Sequence, residues 1–304
     1  MRRTGRWHTA GRLAAALVAC CLAAAGAAWL VIGPLPPLDS RQEPPAPSTL
    51  VLDREGRLLY EVIDPEAGAH RPVPLEEIPL ALRQAIVATE DASFYTNPGI
   101  DLRGILRAFV INISAGEIRS GGSTITQQLA RNLLLDAEER TTRSWRRKIR
   151  EAVLAWRLTR ALSKDDILAL YLNETDFGNM AIGVEAAARI YYGKPVGQLN
   201  LAECALLAGL PQSPALYNPL IHPEAARERQ RVVLDLMVEE GYIDRARAEM
   251  AHREPLALGG GAFSIEAPHA TMLALEQAAG LLEEGALRRG GLRIHTTVDL
   301  PLQE

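Results

Sequence analysis

The stretch that decides the fold of this chain reads GGSTITQQLARN and covers residues 121–132. Its two glycines allow a break in the chain and a close backbone approach. Thr124 and Gln127 have the spacing of a capping box, which predicts a helix from here through Leu135. Hydroxyls and free amides at the mouth of such a helix form a surface suited to an anion or a sugar. The alternative interpretation is an ordinary helix N-cap. It would leave most of this row of polar and glycine residues unexplained.

An apolar helix is predicted upstream of this stretch, from Pro79 to Glu90, because proline suits the first turn of a helix. The helix ends in two adjacent acids, Glu90 and Asp91. A carboxylate at the end of an apolar helix is a candidate for a raised pKa, and therefore for general acid or base catalysis. Adjacent acids at a helix end are more often solvated, so this pattern alone is a weak indication of catalysis.

A dense basic group follows on a helix predicted from Ser144 to Ala161, which has Ile149, Val153 and Trp156 along one apolar stripe. Such a group suits a phosphate or a lipid headgroup. The single acid within it, Glu151, is expected to stay ionised among the guanidinium groups. A solvated helix face is the alternative interpretation. The basic residues are Arg140, Arg143, Arg146, Arg147, Lys148 and Arg150.

The rest of the pattern predicts a mainly α-helical body that continues to about Arg253. A small β-hairpin is predicted at residues 51–60, and Ser163 with Asp166 caps another helix. Residues 201–210 are apolar almost all round, which predicts a buried central helix. A further helix is predicted from Pro223 to Gly241, and residues 292–298 resemble a strand.

The N-terminus carries an uncharged run from Leu13 to Ile32, which is about 30 Å long as a helix and can cross a bilayer. Arginines precede the run and a proline-rich segment follows it, so residues 1–12 are predicted to be cytoplasmic and the body extracytoplasmic. A cleaved signal peptide and lipidation at Cys20 are the alternatives. The net charge of −4 provides no overall positive potential that would favour nucleic-acid binding. The three cysteines have the spacing of neither a disulfide framework nor a metal site.

Several segments together resemble, in order, the signature motifs of the peptidoglycan glycosyltransferases, glycosyltransferase family 51, which form the N-terminal module of class A penicillin-binding proteins. The resemblance covers about Val51 to Met250 and is nearest in style to the 1C-like proteins. The matching segments are Glu90–Gly99, Gly121–Asn132, Arg147–Glu151, Lys164–Leu168, Tyr171–Asn173, Gly183–Ala188, Tyr192–Lys194, Leu207–Gln212 and Tyr217–Pro219.

The resemblance implies a lysozyme-like helical fold and an inverting transfer that polymerises lipid II into β-1,4-linked glycan and releases undecaprenyl pyrophosphate. By match to the motifs, Glu90 is the general base and Glu151 the second catalytic glutamate. Arg131, Arg140, Arg147 and Lys148 are implied to hold the pyrophosphate. The implied remainder of the substrate site is Asp91, Phe94, Gly122, Ser123, Thr124, Gln127, Gln128 and Asn132.

The partners implied by the resemblance are lipid II, the growing glycan strand, the membrane and other proteins of cell-wall synthesis, with no nucleic acid. No cofactor is required, although phosphate chemistry admits a divalent cation, Mg or Mn, at the pyrophosphate. No carboxylate cluster in the sequence specifies a site for it.

Two positions depart from the family pattern: Asn97 stands where histidine is usual, and Ala169 stands where glutamate is usual. Either change could lower activity. The second module of class A proteins needs a Ser-x-x-Lys motif, which none of the three lysines of this chain provides. The predicted organisation is therefore a transmembrane helix at 13–32, a Pro-rich linker at 33–50 and a glycosyltransferase domain at 51–255. A linker and the truncated start of a transpeptidase-like region are predicted at 256–304.

Two other functions are weighed against the glycosyltransferase. A lysozyme-like hydrolase shares the paired acids but has no need of a basic rim for pyrophosphate. A catalytically impaired membrane-anchored scaffold of cell-wall synthesis would account for Asn97 and Ala169.

Overall fold

Helices make up most of the computed structural model, which describes residues 33–37, 46–65, 68–101, 104, 122–142, 144–259 and 265–303. They are α1 (Leu80–Glu90), α2 (Ile125–Leu134), α3 (Ala137–Thr141), α4 (Trp145–Ala161), α5 (Lys164–Glu174), α6 (Val184–Tyr192), α7 (Leu201–Gly209), α8 (Pro223–Glu239), α9 (Arg245–Arg253), α10 (Pro268–Leu281), α11 (Ala286–Arg289) and α12 (Leu300–Gln303), with short 3-10 turns at Leu75–Glu77 and Val196–Gln198. The strands are β1 (Thr49–Leu52), β2 (Leu58–Val62), β3 (Ala69–His70), β4 (Ala181–Ile182) and β5 (Arg293–His295). The predicted mainly helical fold with few strands is confirmed.

Two helices form the centre of the described body. Helix α7 packs against α1 and α8, and its residues from Ala202 to Gly209 are all buried, as the apolar sequence of this segment predicts. Helix α2 packs against α4 and α5, with Ile125, Leu129 and Ala130 fully buried. Half-buried Gln128, Arg131 and Asn132 share another face of α2 because they are three and four residues apart.

Local capping explains where the helices begin. Thr124 accepts a hydrogen bond from the Gln127 backbone and the Gln127 side chain accepts one from the Thr124 backbone, which completes the predicted capping box of α2. Ser163 and Asp166 form the same box at α5, and Ser144 caps α4. Each cap satisfies backbone N–H groups that have no partner within the helix.

The buried face of α4 is not the stripe that the sequence analysis identified as apolar. Ile149 and Trp156 are 39% and 44% exposed. The buried residues are instead Arg150, Glu151, Leu154, Ala155 and Leu158. Glu151 can lie inside because Arg147 and Lys148 pair with its carboxylate, and a buried charge is tolerated when it is paired.

The small sheet joins the two ends of the described chain. Strand β1 lies between β2, which is antiparallel to it, and β5, which is parallel. The predicted hairpin is confirmed, and buried Asp53 holds its turn by accepting hydrogen bonds from the backbones of Glu55 and Arg57. Strand β5 falls within the predicted 256–304 region, so this region shares a sheet with the start of the predicted glycosyltransferase domain.

The segment 33–37, which is the start of the predicted Pro-rich linker, lies against α4. The guanidinium of Arg150 donates to the carbonyl of Pro34 at 3.0 Å, and that of Arg157 donates to the carbonyl of Pro36 at 3.2 Å. The predicted transmembrane helix at 13–32 falls outside the described residues. Among the helices that the structure does describe, none has both the length and the apolar character needed to cross a bilayer.

Candidate active site

Glu90 is the last residue of α1 and is half-buried. Its Oε2 accepts a 2.6 Å hydrogen bond from the side-chain Nε2 of Gln128 on α2. Burial raises the pKa of Glu90 above its ordinary value, while the bond from Gln128 and the positive charges of Arg229 and Arg131 act to lower this pKa. A carboxyl whose pKa is raised towards neutrality is a better proton acceptor than an ordinary glutamate.

Asp91 is buried and acts as a structural link. It accepts two hydrogen bonds from Asn97, at 2.9 and 3.1 Å, and one from the backbone N–H of Ile125 at 3.2 Å. Ile125 is the first residue of α2, so Asp91 fastens the end of α1 to the start of α2. Burial raises the pKa of Asp91, and its hydrogen bonds act in the opposite direction.

Asn97 connects three further groups besides Asp91. Its Oδ1 accepts hydrogen bonds from the backbone of Gly99 at 2.9 Å and from the Nζ of Lys164 at 3.3 Å, and its Nδ2 also donates to Ser93. Asparagine therefore has a full set of partners at the position where the family usually has histidine. Ala169, the other departure, is half-buried on α5.

Besides Asp91, three of the predicted substrate-binding residues are buried. Phe94 is 0% exposed and packs edge-on against Tyr95, with the Lys164 ammonium 4.6 Å from its ring centroid. Thr124 and Gln127 form the cap of α2, and the Thr124 hydroxyl also donates to the Gly99 carbonyl at 2.7 Å. Because these three side chains are buried, they can support the candidate site but do not line its surface.

Lys148 joins the loop before α2 to the acid on α4. Its Nζ lies 2.7 Å from the Ser123 hydroxyl and 2.9 Å from Oε2 of Glu151. The other oxygen of Glu151 accepts a 2.8 Å hydrogen bond from Arg147. Glu151 therefore holds two cations side by side, while its own side chain is 1% exposed.

Arginine extends this cationic group towards the end of α2. The guanidinium of Arg147 donates to the Arg140 carbonyl at 3.4 Å, and that of Arg140 donates to the Asn132 carbonyl at 3.3 Å. Arg131, Arg140 and Gly122 are half-buried. Gly121 and Arg143 lie outside the described residues, so their predicted places are untested.

Among the residues that the structure describes, no group of three His, Cys, Asp or Glu side chains is arranged to hold a metal ion. Chemically, the described arrangement offers a carboxylate with a raised pKa beside Gln128 of α2 and a cationic group that runs from α4 to the end of the same helix. A base and a cationic group are what a transfer reaction with an anionic leaving group requires.

Comparison with known proteins decides the family. Residues 55–238 match the family model described as Transglycosylase. The chain belongs to the transglycosylase family. It carries the glycosyltransferase module of class A penicillin-binding proteins, as the order of its motifs indicates.

The relatives of this transglycosylase include penicillin-binding protein 1A of Aquifex aeolicus, which is 42% identical over 271 residues that make up 89% of this chain and 36% of the relative. Penicillin-binding protein 1A of Pseudomonas aeruginosa is 38% identical over 83% of this chain and 30% of its own length. A crystal structure of penicillin-binding protein 1A from Haemophilus influenzae aligns with a TM-score of 0.47 and 25% identity, over 84% of this chain and 28% of that one. The transglycosylase thus spans about a third of the length of these relatives. Both of the first two relatives are named penicillin-binding protein 1A, and the predicted 1C-like style is not confirmed.

Two residues next to the candidate site were not predicted from the sequence. Arg229 on α8 lowers the pKa of Glu90 by its charge, and the hydroxyl of Tyr171 on α5 donates to Oε1 of Gln128 at 3.3 Å. Tyr171 belongs to the family motif Tyr171–Asn173, so the sequence could have identified it as a candidate site residue. Arg229 lies outside the family motifs. The sequence points to it only indirectly, because Gly209 and Tyr217, which contact it, both belong to such motifs.

Proposed function

We propose that this protein polymerises lipid II into β-1,4-linked glycan strands with release of undecaprenyl pyrophosphate, and that Glu90 is the general base. The observation that carries the proposal is the position of Glu90: burial raises its pKa, and Gln128 of α2 holds one carboxylate oxygen at 2.6 Å. Membership of the transglycosylase family supports the reaction type, and we infer a lysozyme-like arrangement of the helices around the site.

In the proposed step, Glu90 accepts the proton of the acceptor 4-hydroxyl. The freed oxygen forms a bond to the anomeric carbon of the donor on the face opposite the pyrophosphate. The bond between that carbon and the pyrophosphate oxygen breaks, and the electron pair leaves with the pyrophosphate. The configuration at the anomeric carbon is therefore inverted, from the α-linked donor to the β-linked product.

The cationic group on α4 is proposed to receive the charge of the leaving group. Arg131, Arg140, Arg147 and Lys148 would bind the pyrophosphate oxygens, and Glu151 would keep Arg147 and Lys148 in place. Arginine suits this role because its planar guanidinium donates two parallel hydrogen bonds to a phosphate. We propose that half-buried Gly122, Ser123 and Asn132 line the cleft.

We further propose that the protein lies in the bacterial cytoplasmic membrane with its N-terminus in the cytoplasm and its catalytic body outside. The contacts of Pro34 and Pro36 with α4 support this arrangement, because they bring the cationic helix next to the chain that leaves the apolar run at residue 32. An alkaline phosphatase fused after Gln303 should be active in intact cells, and an inactive fusion would contradict this topology. Binding of other cell-wall synthesis proteins stays a prediction.

A divalent cation, Mg or Mn, at the pyrophosphate also stays a proposal. The described residues offer no cluster of carboxylates for it, so the pyrophosphate would have to supply most of its ligands. A titration of lipid II turnover with a chelator tests the proposal: a rate that metal ions restore supports it, and an unchanged rate contradicts it.

The function is tested with labelled lipid II and the full chain in detergent or vesicles. Growth of long glycan, blocked by moenomycin, the characteristic inhibitor of the family, is the expected result. Separate incubation with finished polymer tests the alternatives: fragments would indicate a lysozyme-like hydrolase. A folded protein that neither extends nor cleaves glycan would indicate a scaffold.

A further inference from the structure

Tyr171 is a buried phenol at the back of the site. It lies on α5 with 1% of its surface exposed, and its hydroxyl donates to Oε1 of Gln128 at 3.3 Å. The Nε2 of the same amide donates to Glu90 at 2.6 Å. A chain of two hydrogen bonds therefore runs from α5 through α2 to the carboxylate at the end of α1.

The direction of these bonds follows from the chemistry of the three groups. An ionised carboxylate only accepts hydrogen bonds, so the amide of Gln128 must turn its NH₂ towards Glu90. This leaves the amide oxygen facing Tyr171, which must donate. Burial, followed by the negative charge of Glu90, raises the pKa of Tyr171 well above its ordinary value, so the phenol keeps its proton over the whole working range.

We propose that Tyr171 is a positioning residue for catalysis: by donating to Gln128 it fixes the amide so that the NH₂ faces Glu90 and holds that carboxylate towards the acceptor hydroxyl. The inference rests on the proposed role of Glu90 as base. Tyr171 itself touches no substrate in this account. Without its hydroxyl, the Gln128 amide keeps its bond to Glu90 but loses the bond at its oxygen, so the amide and the carboxylate that it holds are positioned less firmly.

The loss of this contact has a defined electrostatic consequence. The hydrogen bond from Gln128 lowers the pKa of Glu90, so weakening that bond raises the pKa. The other groups acting on the carboxylate are Asp91 beside it, Arg131 on α2 and Arg229 on α8, and removal of the Tyr171 hydroxyl leaves their charges unchanged. The acid limb of the pH–rate profile should therefore move to higher pH.

The test is lipid II polymerisation by the full chain carrying Tyr171→Phe. We expect kcat to fall about tenfold with little change in KM, because orientation and not binding is lost, and the acid limb to move to higher pH. Tyr192→Phe is the matched control, since the Tyr192 hydroxyl is also buried but has no hydrogen-bond partner in the described structure. It should leave both the rate and the pH profile unchanged.

A second comparison separates positioning from general damage to the core. In a Gln128→Leu background, which already lacks the donated bond, adding Tyr171→Phe should cause no further loss, because coupled residues are not additive. Gln128→Leu alone should also move the acid limb to higher pH, which keeps the inference testable even if the Tyr171 variant does not fold. An additive loss, or an unmoved acid limb in both variants, overturns it.

Failure of this inference can be told apart from failure of the proposed function. If wild type turns over and Glu90→Gln does not, yet Tyr171→Phe matches wild type in rate and pH profile, only the positioning role is lost. If Glu90→Gln polymerises lipid II as well as wild type does, the role of Glu90 as base is lost, and the role of Tyr171 with it.

Discussion

Asn97 donates two hydrogen bonds to Asp91, at 2.9 Å to Oδ1 and 3.1 Å to Oδ2. The pair closes the turn after α1 and, through the bond from the Ile125 backbone to Asp91, sets the start of α2. The asparagine that departs from the family pattern is thus a well-bonded part of the site. This finding weakens the case, made from the sequence, that Asn97 marks a lost activity.

Replacing Asn97 by alanine should therefore destabilise the fold by about 2 kcal/mol, because it leaves a buried carboxylate without its principal donors. Activity should fall as well, since the start of α2 loses its anchor. Thermal unfolding and lipid II turnover measure the two effects. Asn97→His is the control, because an imidazole N–H can donate to Asp91, and it should keep most of both properties; equal damage from both variants would contradict this role.

Glu90→Gln should make the protein more stable at neutral pH. The pKa of Glu90 is raised in the folded state, so the fold favours the protonated form and loses stability as pH rises from the unfolded pKa of about 4.3 through the folded value. Glutamine has no proton to lose. The melting temperature of the variant should exceed that of wild type at pH 7.5, and the difference should shrink towards pH 4; a constant difference would contradict a raised pKa.

Arg229, which lies on α8, should influence the pKa of the proposed base Glu90. Its positive charge favours ionised Glu90, so Arg229→Met should raise the pKa of Glu90 and move the acid limb of kcat/KM to higher pH. Gly209→Ala should act in the same direction, because its added Cβ would lie 2.7 Å from Cγ of Arg229 and displace that side chain. Exposed Arg231 on the same helix provides the control: Arg231→Ala should leave the acid limb in place.

The cationic group should govern the binding of the pyrophosphate. Lys148→Ala removes the link between Ser123 and Glu151, and we expect KM for lipid II to rise by roughly 10-fold or more, as for the loss of one charge-assisted contact. Arg160→Ala, at the exposed far end of α4, should leave KM unchanged. A similar KM in both variants would remove Lys148 from the proposed binding site.

Sequence alone could predict the parts of the fold that depend on neighbouring residues. The starts of α2, α4 and α5 were predictable because each cap joins residues three positions apart. The buried character of α7 was predictable because nearly all its side chains are apolar. These features need no knowledge of what lies elsewhere in the chain.

Contacts between segments that are distant in sequence could not be predicted, because local sequence patterns do not indicate them. Nothing local indicates that β5 pairs with β1, more than two hundred residues away in sequence. The inward face of α4 was missed because the sequence shows an apolar stripe at Ile149 and Trp156, and it does not show that paired Glu151 is buried in its place. Arg229 likewise acquires a role only when α8 is packed near Glu90. For Tyr171, the motif marks the residue, but only the structure shows its bond to Gln128.

The central claim, that Glu90 is the base of a lipid II polymerase, is tested most directly by Glu90→Gln in the full chain, assayed for both binding and turnover. The expected result is a loss of polymerisation of roughly 10²- to 10⁴-fold, the usual contribution of a general base, with lipid II affinity within a factor of two or so of wild type. Glu249→Gln, at an exposed glutamate of α9, should behave as wild type. Polymerisation near the wild-type rate by Glu90→Gln, or a folded variant that no longer binds lipid II, would contradict the claim.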